Sequence, residues 1–299
     1  MEIREALKTG IGKLRDANIH AYTLAAELLL LHVIGQGRAW LYAHPEEQLS
    51  ATQQKQFLEM VARRAGGEPV QHLTRHQEFW GLDFEVTRDV LIPRPETEHL
   101  IEVTLDRLAL REVREGRPQA TDGSGLRIAD VGTGSGCIAI ALAKQLPKAN
   151  FYASDISQAA LEVARRNAAK HGVLQQIRFA YASLLNHALS SNHEPMRFDA
   201  IVSIPPYIGR REASILDREV RDHEPEAALY GGEEGYEFYG ELIAQAATHL
   251  VQGGLLVLEL GYNSLPAVQP LLEGPEWTRF NVTNDLAGIP RVIAAERVS

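Results

Sequence analysis

Two stretches of this chain combine residue types that do chemistry. In Asp130-Val131-Gly132-Thr133-Gly134-Ser135-Gly136, glycines alternate with small residues where an apolar run gives way to a helix-like one. Positions without a side chain let backbone N–H groups and a helix N-terminus approach a ligand closely. Asp155 ends the next apolar run, Tyr152-Ala153-Ser154-Asp155, where a carboxylate can accept hydrogen bonds from the vicinal hydroxyls of a ribose. Its plainer use is as a cap before Ile156-Ser157. In Ile201-Val202-Ser203-Ile204-Pro205-Pro206-Tyr207 a strand stops at two prolines and an aromatic. Consecutive prolines fix φ and donate no hydrogen bond, so the carbonyl of Ile204 or Pro205 can be held toward a ligand as a pure acceptor. Tyr207 can cover a planar group. An acceptor-lined slot beside an aromatic suits a planar NH2 group.

The glycine loop by itself does not choose a cofactor. Gly134, Gly136 and Ala139 satisfy the G-x-G-x-x-G/A pattern of dinucleotide sites, and Asp155 lies where their ribose acid falls, about 20 residues on. S-adenosylmethionine uses the same kind of loop for its amino-acid and ribose portions. A bare strand-to-helix turn is the third use. The proline pair favours S-adenosylmethionine, because a dinucleotide enzyme has no standing need of it.

These residues require a parallel sheet to position them. From Arg127 the pattern alternates strand and helix: Ile128 to Val131, a helix after Gly136, Phe151 to Ser154, Ser157 to Lys170, Ile177 to Tyr181, Phe198 to Ser203, a helix around Phe238 to Leu250, Leu255 to Leu260, and a last strand pair near Phe280 and Ile293. Alternating βα units imply a parallel sheet covered on both faces. Upstream, apolar residues recur at helical spacing from Glu2 to Gly66, with stops at Asn18, Gly35 and Gly66-Gly67, and Ser50 with Gln53 reads as a capping box. Leu82, Phe84 and Val86 alternate with Asp83, Glu85 and Thr87 beside Gly81, predicting a hairpin. Pro95 suits the first turn of a helix running to about Arg114, with Arg94 and Glu98 as a candidate charged pair, and GRPQATDGSG after it reads as a solvated loop.

The chain has 299 residues, 45% of them hydrophobic, enough for two cores. A net charge of -9 gives no global basic field for phosphate backbones or anionic membranes. Cys137 is the single cysteine, so no internal disulfide forms. The charged start MEIREALKTG lacks a secretory apolar core, and Leu24 to Leu31 is too short to cross a bilayer and reads as a buried helix. A cytoplasmic location is expected. His72 and His76, four apart in a segment without helical pattern, have no cysteine at metal spacing, so no metal site is expected.

The chain resembles the bacterial release-factor glutamine methyltransferases, which methylate the side-chain nitrogen of the glutamine in the Gly-Gly-Gln motif of class I peptide-chain release factors. The resemblance covers nearly the whole chain. It rests on Arg63-Arg64-Ala65, Gly67-Glu68-Pro69-Val70, Glu78-Phe79-Trp80-Gly81, Leu91-Ile92-Pro93-Arg94-Pro95-Glu96-Thr97-Glu98, the glycine loop and Asp285-Leu286-Ala287-Gly288-Ile289-Pro290-Arg291. It implies a helical substrate-recognition domain over 1–75, a β-hairpin linker over 76–92, and a seven-stranded Rossmann-like class I methyltransferase domain over 93–299. It also implies S-adenosylmethionine as methyl donor, leaving as S-adenosylhomocysteine, class I release factors as partners, and no nucleic acid.

Residue by residue, it assigns Gly132, Thr133, Gly134, Ser135, Gly136 and Asp155 to the cofactor and Ile204, Pro205, Pro206 and Tyr207 to the target amide. Three positions depart from the family pattern. Ile204 replaces the asparagine of Asn-Pro-Pro-Tyr, either introduced or native to a chain whose activity has changed. Ser183 stands where an acid approaches the adenine, with Leu184 beside it, and Arg75 stands where glycine is usual. Two other functions fit an acceptor slot: methylation of an adenine amino group in nucleic acid, or binding of S-adenosylmethionine or a release factor without catalysis.

Overall fold

The computed structural model describes residues 1–114, 122–186, 188–189 and 193–298. Residues 116–121 of the expected solvated loop lie outside the described residues. The chain divides into two compact units, Met1–His76 with Leu216–His223, and Gln77–Ile215 with Glu224–Ser299.

The first unit is helical, with segments Ile3–Asp16, Tyr22–Ile34, Arg38–Ala43, Ala51–Ala65 and Val70–Thr74, and Arg218–His223 from later in the chain. Leu14, Leu29, Leu30, Phe57 and Val61 are fully buried in its core. Gly10 admits Phe57, whose ring would lie 2.8 Å from any β-carbon there. The punctuation acts as the sequence predicts. Asn18 and Gly35 turn to φ +55° and +66°, and Ser50 and Gln53 exchange bonds of 3.2 and 3.0 Å in a capping box.

Of two short helices, Arg38–Ala43 falls within the stretch of helical spacing and Val70–Thr74 outside it. Helices of one to two turns have no stability of their own and form here by burying Leu41 and Leu73. His72 therefore sits on a helix, against expectation. The Leu24 to Leu31 stretch is helical but not wholly buried: Leu24 and Leu28 remain 47% and 40% exposed, because residues four apart share one face and this one points outward. Arg75, the predicted strain point, has φ +61°. Ala21 is held at φ +50° with an exposed methyl group. Since the left-handed region costs a residue with a β-carbon about 1–2 kcal/mol and glycine adds unfolded-chain entropy, Ala21→Gly is expected to gain about 0.5–1 kcal/mol in a denaturant titration.

A hairpin, β1 (His76–Phe79) and β2 (Leu82–Glu85), follows, all but His76 in the second unit. Its two turn residues, Trp80 and Gly81, both have positive φ, +54° and +68°, as tight hairpin turns matching strand twist require. Glu98 accepts the Trp80 N–H at 2.8 Å. The expected Arg94–Glu98 pair does not form, and Arg94 instead bonds Glu224. After a 3-10 turn at Pro95–Thr97, the helix Glu98–Arg114 runs as predicted.

The main sheet comprises β3 (Arg127–Val131), β4 (Asn150–Asp155), β5 (Ile177–Tyr181), β6 (Phe198–Ser203), β7 (Leu250–Glu259), β8 (Trp277–Asn284) and β9 (Pro290–Arg297). Their spatial order is β5-β4-β3-β6-β7-β9-β8, with β9 antiparallel to β7 and to β8. Successive side chains alternate between two cores: Ile128, Phe151, Val202 and Val257 on one face, Val131, Tyr152, Ile201 and Leu258 on the other. After β3 the chain builds outward through β4 and β5, then returns to place β6 on the other flank of β3. Open α/β sheets bind ligands at such a switch point, beyond the carboxyl ends of the strands. Among the described residues no helix is long and apolar enough to cross a membrane.

Candidate active site

The glycine loop leaves β3 and the Ile204–Tyr207 segment leaves β6, the two strands flanking the switch point. Register pairs Val131 with Ser203, and the Ser203 hydroxyl donates to the Val131 carbonyl at 2.7 Å. The Ile204 carbonyl oxygen lies 3.9 Å from where a β-carbon on Gly132 would stand. Both segments line one cleft. Gly132, Thr133, Gly134, Ser135, Asp155, Ser183, Leu184, Ile204, Pro205 and Pro206 all face it.

Two predicted site residues do not face the cleft. Gly136, at φ +82°, is the N-cap of the helix Cys137–Gln145, and a β-carbon there would stand 3.2 Å from the Ala164 methyl group. Tyr207 turns away from the cleft: its hydroxyl donates to Glu259 Oε1 at 3.3 Å and its ring lies under Gly261.

The loop is shaped by buried polar groups. Asp130, fully buried, accepts from the Thr133 hydroxyl at 2.7 Å and the Ala139 N–H at 3.1 Å. Burial pushes its carboxyl up to about 6. Asn167 donates to the carbonyls of Ser135 and Glu85, both at 2.9 Å, pinning the loop to β2. Gly134 has φ +54° and nothing within 4 Å of a β-carbon position, so its backbone borders open space. Cys137 is buried, and burial pushes its thiol up to about 12, which leaves no reactive thiolate at neutral pH.

Asp155 combines the two roles the sequence left open. Its carboxylate accepts the Gly134 N–H at 2.9 Å and the Ser157 N–H at 2.8 Å, and burial raises its pKa. A carboxylate offers about four lone-pair sites. Two are used internally, so it keeps acceptor capacity toward the cleft.

Ser154 contributes without any motif signature, whereas Pro93, Arg94 and Thr97 belong to the Leu91-to-Glu98 motif. The Ser154 carbonyl accepts from Gly132 and Thr133 at 2.8 and 2.9 Å, while its hydroxyl donates to the Leu184 carbonyl at 2.8 Å. One buried serine thus joins two walls of the cleft, and it holds Leu184 at φ +51°, a strained value away from glycine. Pro93, Arg94 and Thr97 form another wall, with Pro225, Ala228 and Phe238. Glycines at 231, 232 and 235 press on the segment after β6: Ile208 and Arg210 donate to the carbonyls of Leu229 and Gly232, both at 3.0 Å. The cluster Gly231-Gly232-Glu233-Glu234-Gly235 was the available signal. Among the described residues no group of histidine, cysteine and acid side chains could hold a metal ion.

A seven-stranded sheet with one antiparallel strand inserted at β7, a glycine loop at the switch point and a carboxylate ending the neighbouring strand define an S-adenosylmethionine-dependent methyltransferase. The family described as the PrmC N-terminal domain matches residues 5–74, and the methyltransferase small domain matches 119–221. The release factor glutamine methyltransferase of Koribacter versatilis (strain Ellin345) is 43% identical over 298 residues, 99% of each chain. That of Chlorobaculum tepidum is 41% identical over 287 residues, 96% of this chain and 94% of its own. The chain belongs to the release factor glutamine methyltransferase family. Among solved structures, the hMettl16 catalytic domain in complex with a MAT2A 3'UTR hairpin shares the fold at TM-score 0.55 and 17% identity, covering 86% of this chain and 84% of that one. A methyltransferase from Pyrococcus furiosus does so at 0.50 and 18%, covering 84% and 100%.

The cleft fits that cofactor. Open space at Gly134, spare acceptors on Asp155 and the apolar surfaces of Ile156 and Leu184 match an amino-acid, a ribose and an adenine portion in turn. Removing the Ser154 hydroxyl would leave the Leu184 carbonyl without its partner and free the strained residue. Loss of a buried hydrogen bond costs about 1–3 kcal/mol, so Ser154→Ala is expected to weaken S-adenosylhomocysteine binding about tenfold in calorimetry. Unchanged affinity would show that the two walls hold without it.

Proposed function

We propose that this chain methylates the side-chain nitrogen of the glutamine in the Gly-Gly-Gln motif of class I peptide-chain release factors, and that Ile204 slows the reaction. The family relation supports the release factor as substrate. The observation that carries the catalytic reading is the meeting of the Ile204-Pro205-Pro206 segment and the glycine loop across one cleft.

S-adenosylmethionine supplies an electrophilic sulfonium methyl group when bound. The glycine loop, Asp155, Ser183 and Leu184 hold it in this reading. An amide nitrogen is a weak nucleophile, since its lone pair is delocalised into the carbonyl. The chain must therefore orient the nitrogen and accept its N–H bonds more than exchange protons with it. The carbonyls before and within the proline pair are acceptors in fixed directions, and such positioning contributes several kcal/mol, up to roughly 7–11 in ideal cases. Ile156, Leu184, Pro93 and Phe238 give the cleft apolar lining. We assign the helical residues 1–75 to recognition of the release factor, 76–92 to the connecting hairpin and 93–299 to methyl transfer.

The test is a paired assay: the chain and its Ile204→Asn variant, each with labelled S-adenosylmethionine and a class I release factor. Methyl incorporation at the Gly-Gly-Gln glutamine, strongly raised in the variant, supports the reading. Incorporation into DNA or RNA, or into nothing by either protein, overturns it.

A further inference from the structure

Glu259 ends β7 with 2% of its surface exposed, and the mechanism above gives it no task. Its Oε2 accepts the Thr97 hydroxyl at 2.7 Å and its Oε1 accepts the Tyr207 hydroxyl at 3.3 Å. Thr97 belongs to the Leu91-to-Glu98 segment and faces the cleft; Tyr207 ends the segment bearing the proline pair. Tyr207 is fixed at two further points. Its ring packs where a β-carbon on Gly261 would come within 2.9 Å, and its carbonyl lies 2.5 Å from that position on Gly235. The cation that acts on Glu259, Arg291, bonds Asp285 at 3.0 Å and the Leu260 carbonyl at 3.3 Å, and Glu96 adds a like charge.

We propose that Glu259 is a positioning residue for methyl transfer, a buried carboxylate that clamps Thr97 and Tyr207 and so fixes the direction of the Ile204 and Pro205 carbonyls. Tyr207 is then an anchor behind the slot and not a cover over the target. Burial and the carboxylate together raise the Tyr207 phenol pKa, which keeps the O–H in place as a donor. The clamp also gives the Pro95-Glu96-Thr97 turn a function: its threonine joins the cleft wall to the sheet through the same carboxylate. This inference rests on the proposed reaction for its kinetic consequence, and on geometry alone for the clamp.

Both parts are tested in an Ile204→Asn background with Glu259→Gln, Tyr207→Phe, Thr97→Val and Thr97→Ser. Glu259→Gln keeps side-chain volume and offers one acceptor oxygen for two hydroxyls. Its turnover on a release factor is expected to fall about tenfold or more, with the KM for S-adenosylmethionine and the calorimetric affinity for S-adenosylhomocysteine within about twofold of the parent. Thr97→Val is expected to lose turnover and Thr97→Ser to recover most of it. Tyr207→Phe is expected to have no further effect once Glu259→Gln is present.

Hydrogen exchange gives a readout without turnover. The amides of Ile208 and Arg210 should exchange about tenfold faster in Glu259→Gln, while those of β3 and β6 do not. Unchanged turnover and exchange would overturn the clamp. So would cofactor affinity falling in step with turnover, or exchange rising across the whole sheet. If the Ile204→Asn parent methylates no release factor, the proposed reaction fails, and the exchange measurement still decides whether Glu259 holds the segment.

Discussion

Ile204→Asn is expected to raise the rate of release-factor methylation about a hundredfold or more over the parent chain. The isoleucine side chain lies half-buried on the cleft, packed against the core face that contains Val202 and Ile128. It offers no acceptor, and its branched bulk fills space beside its own carbonyl, which lies near Gly132. A target N–H desolvated there without a partner costs about 1–3 kcal/mol, and displacement of the nitrogen adds to it. Each ~1.4 kcal/mol is tenfold, so a hundredfold change needs only the upper part of that range. Stability should move the other way, because asparagine forfeits apolar burial at the end of β6. A fall of about 1 kcal/mol in a denaturant titration is expected. A variant equally slow in the paired assay would place the barrier elsewhere than in the amide slot.

Gly231→Ala, made in the Ile204→Asn background, is expected to abolish most of the recovered activity, about a hundredfold loss. A β-carbon at 231 would stand 2.1 Å from the Pro206 carbonyl oxygen and 2.6 Å from that of Gly235. Both are backbone atoms, so no side chain can rotate aside to relieve the clash. The shift of roughly 1 Å that removes it must fall on the proline segment or on the glycine stretch, and a displacement of that size at a reacting centre costs about a hundredfold. Gly134→Ala is the informative contrast. It adds a methyl group to open space at φ +54°, so only backbone strain of about 1–2 kcal/mol is at stake. Release-factor turnover for both variants, with S-adenosylhomocysteine affinity measured alongside, checks the pair. If Gly231→Ala turns over like its parent, the segment after β6 is not held where the cleft needs it.

How far the chain could be read depended on the range of the forces involved. Strands β3 to β6 were legible because alternation, Gly turns and β-branched runs are local, and Ile177–Tyr181 and Phe198–Ser203 agree with the predicted bounds. The helix Val70–Thr74 was not, since it has no stability apart from the core that buries Leu73. Arg94 shows the same limit for charge. Its partner four residues away was the natural guess, yet Glu224, 130 residues distant in sequence, accepts its bond.

The residue types alone determined that a glycine loop, a carboxylate and an acceptor-rich proline pair would end the first, second and fourth strands of a parallel sheet, because side-chain-free turns, fixed φ and strand periodicity are properties of a few neighbouring residues. Only the tertiary structure decided that β6 returns beside β3, bringing Ile204 against Gly132. It likewise turned Tyr207 toward Glu259 and set Gly231 under the Pro206 carbonyl. Those outcomes follow from packing between segments far apart in the chain, where the fit of one surface to another, and no local pattern, selects the arrangement.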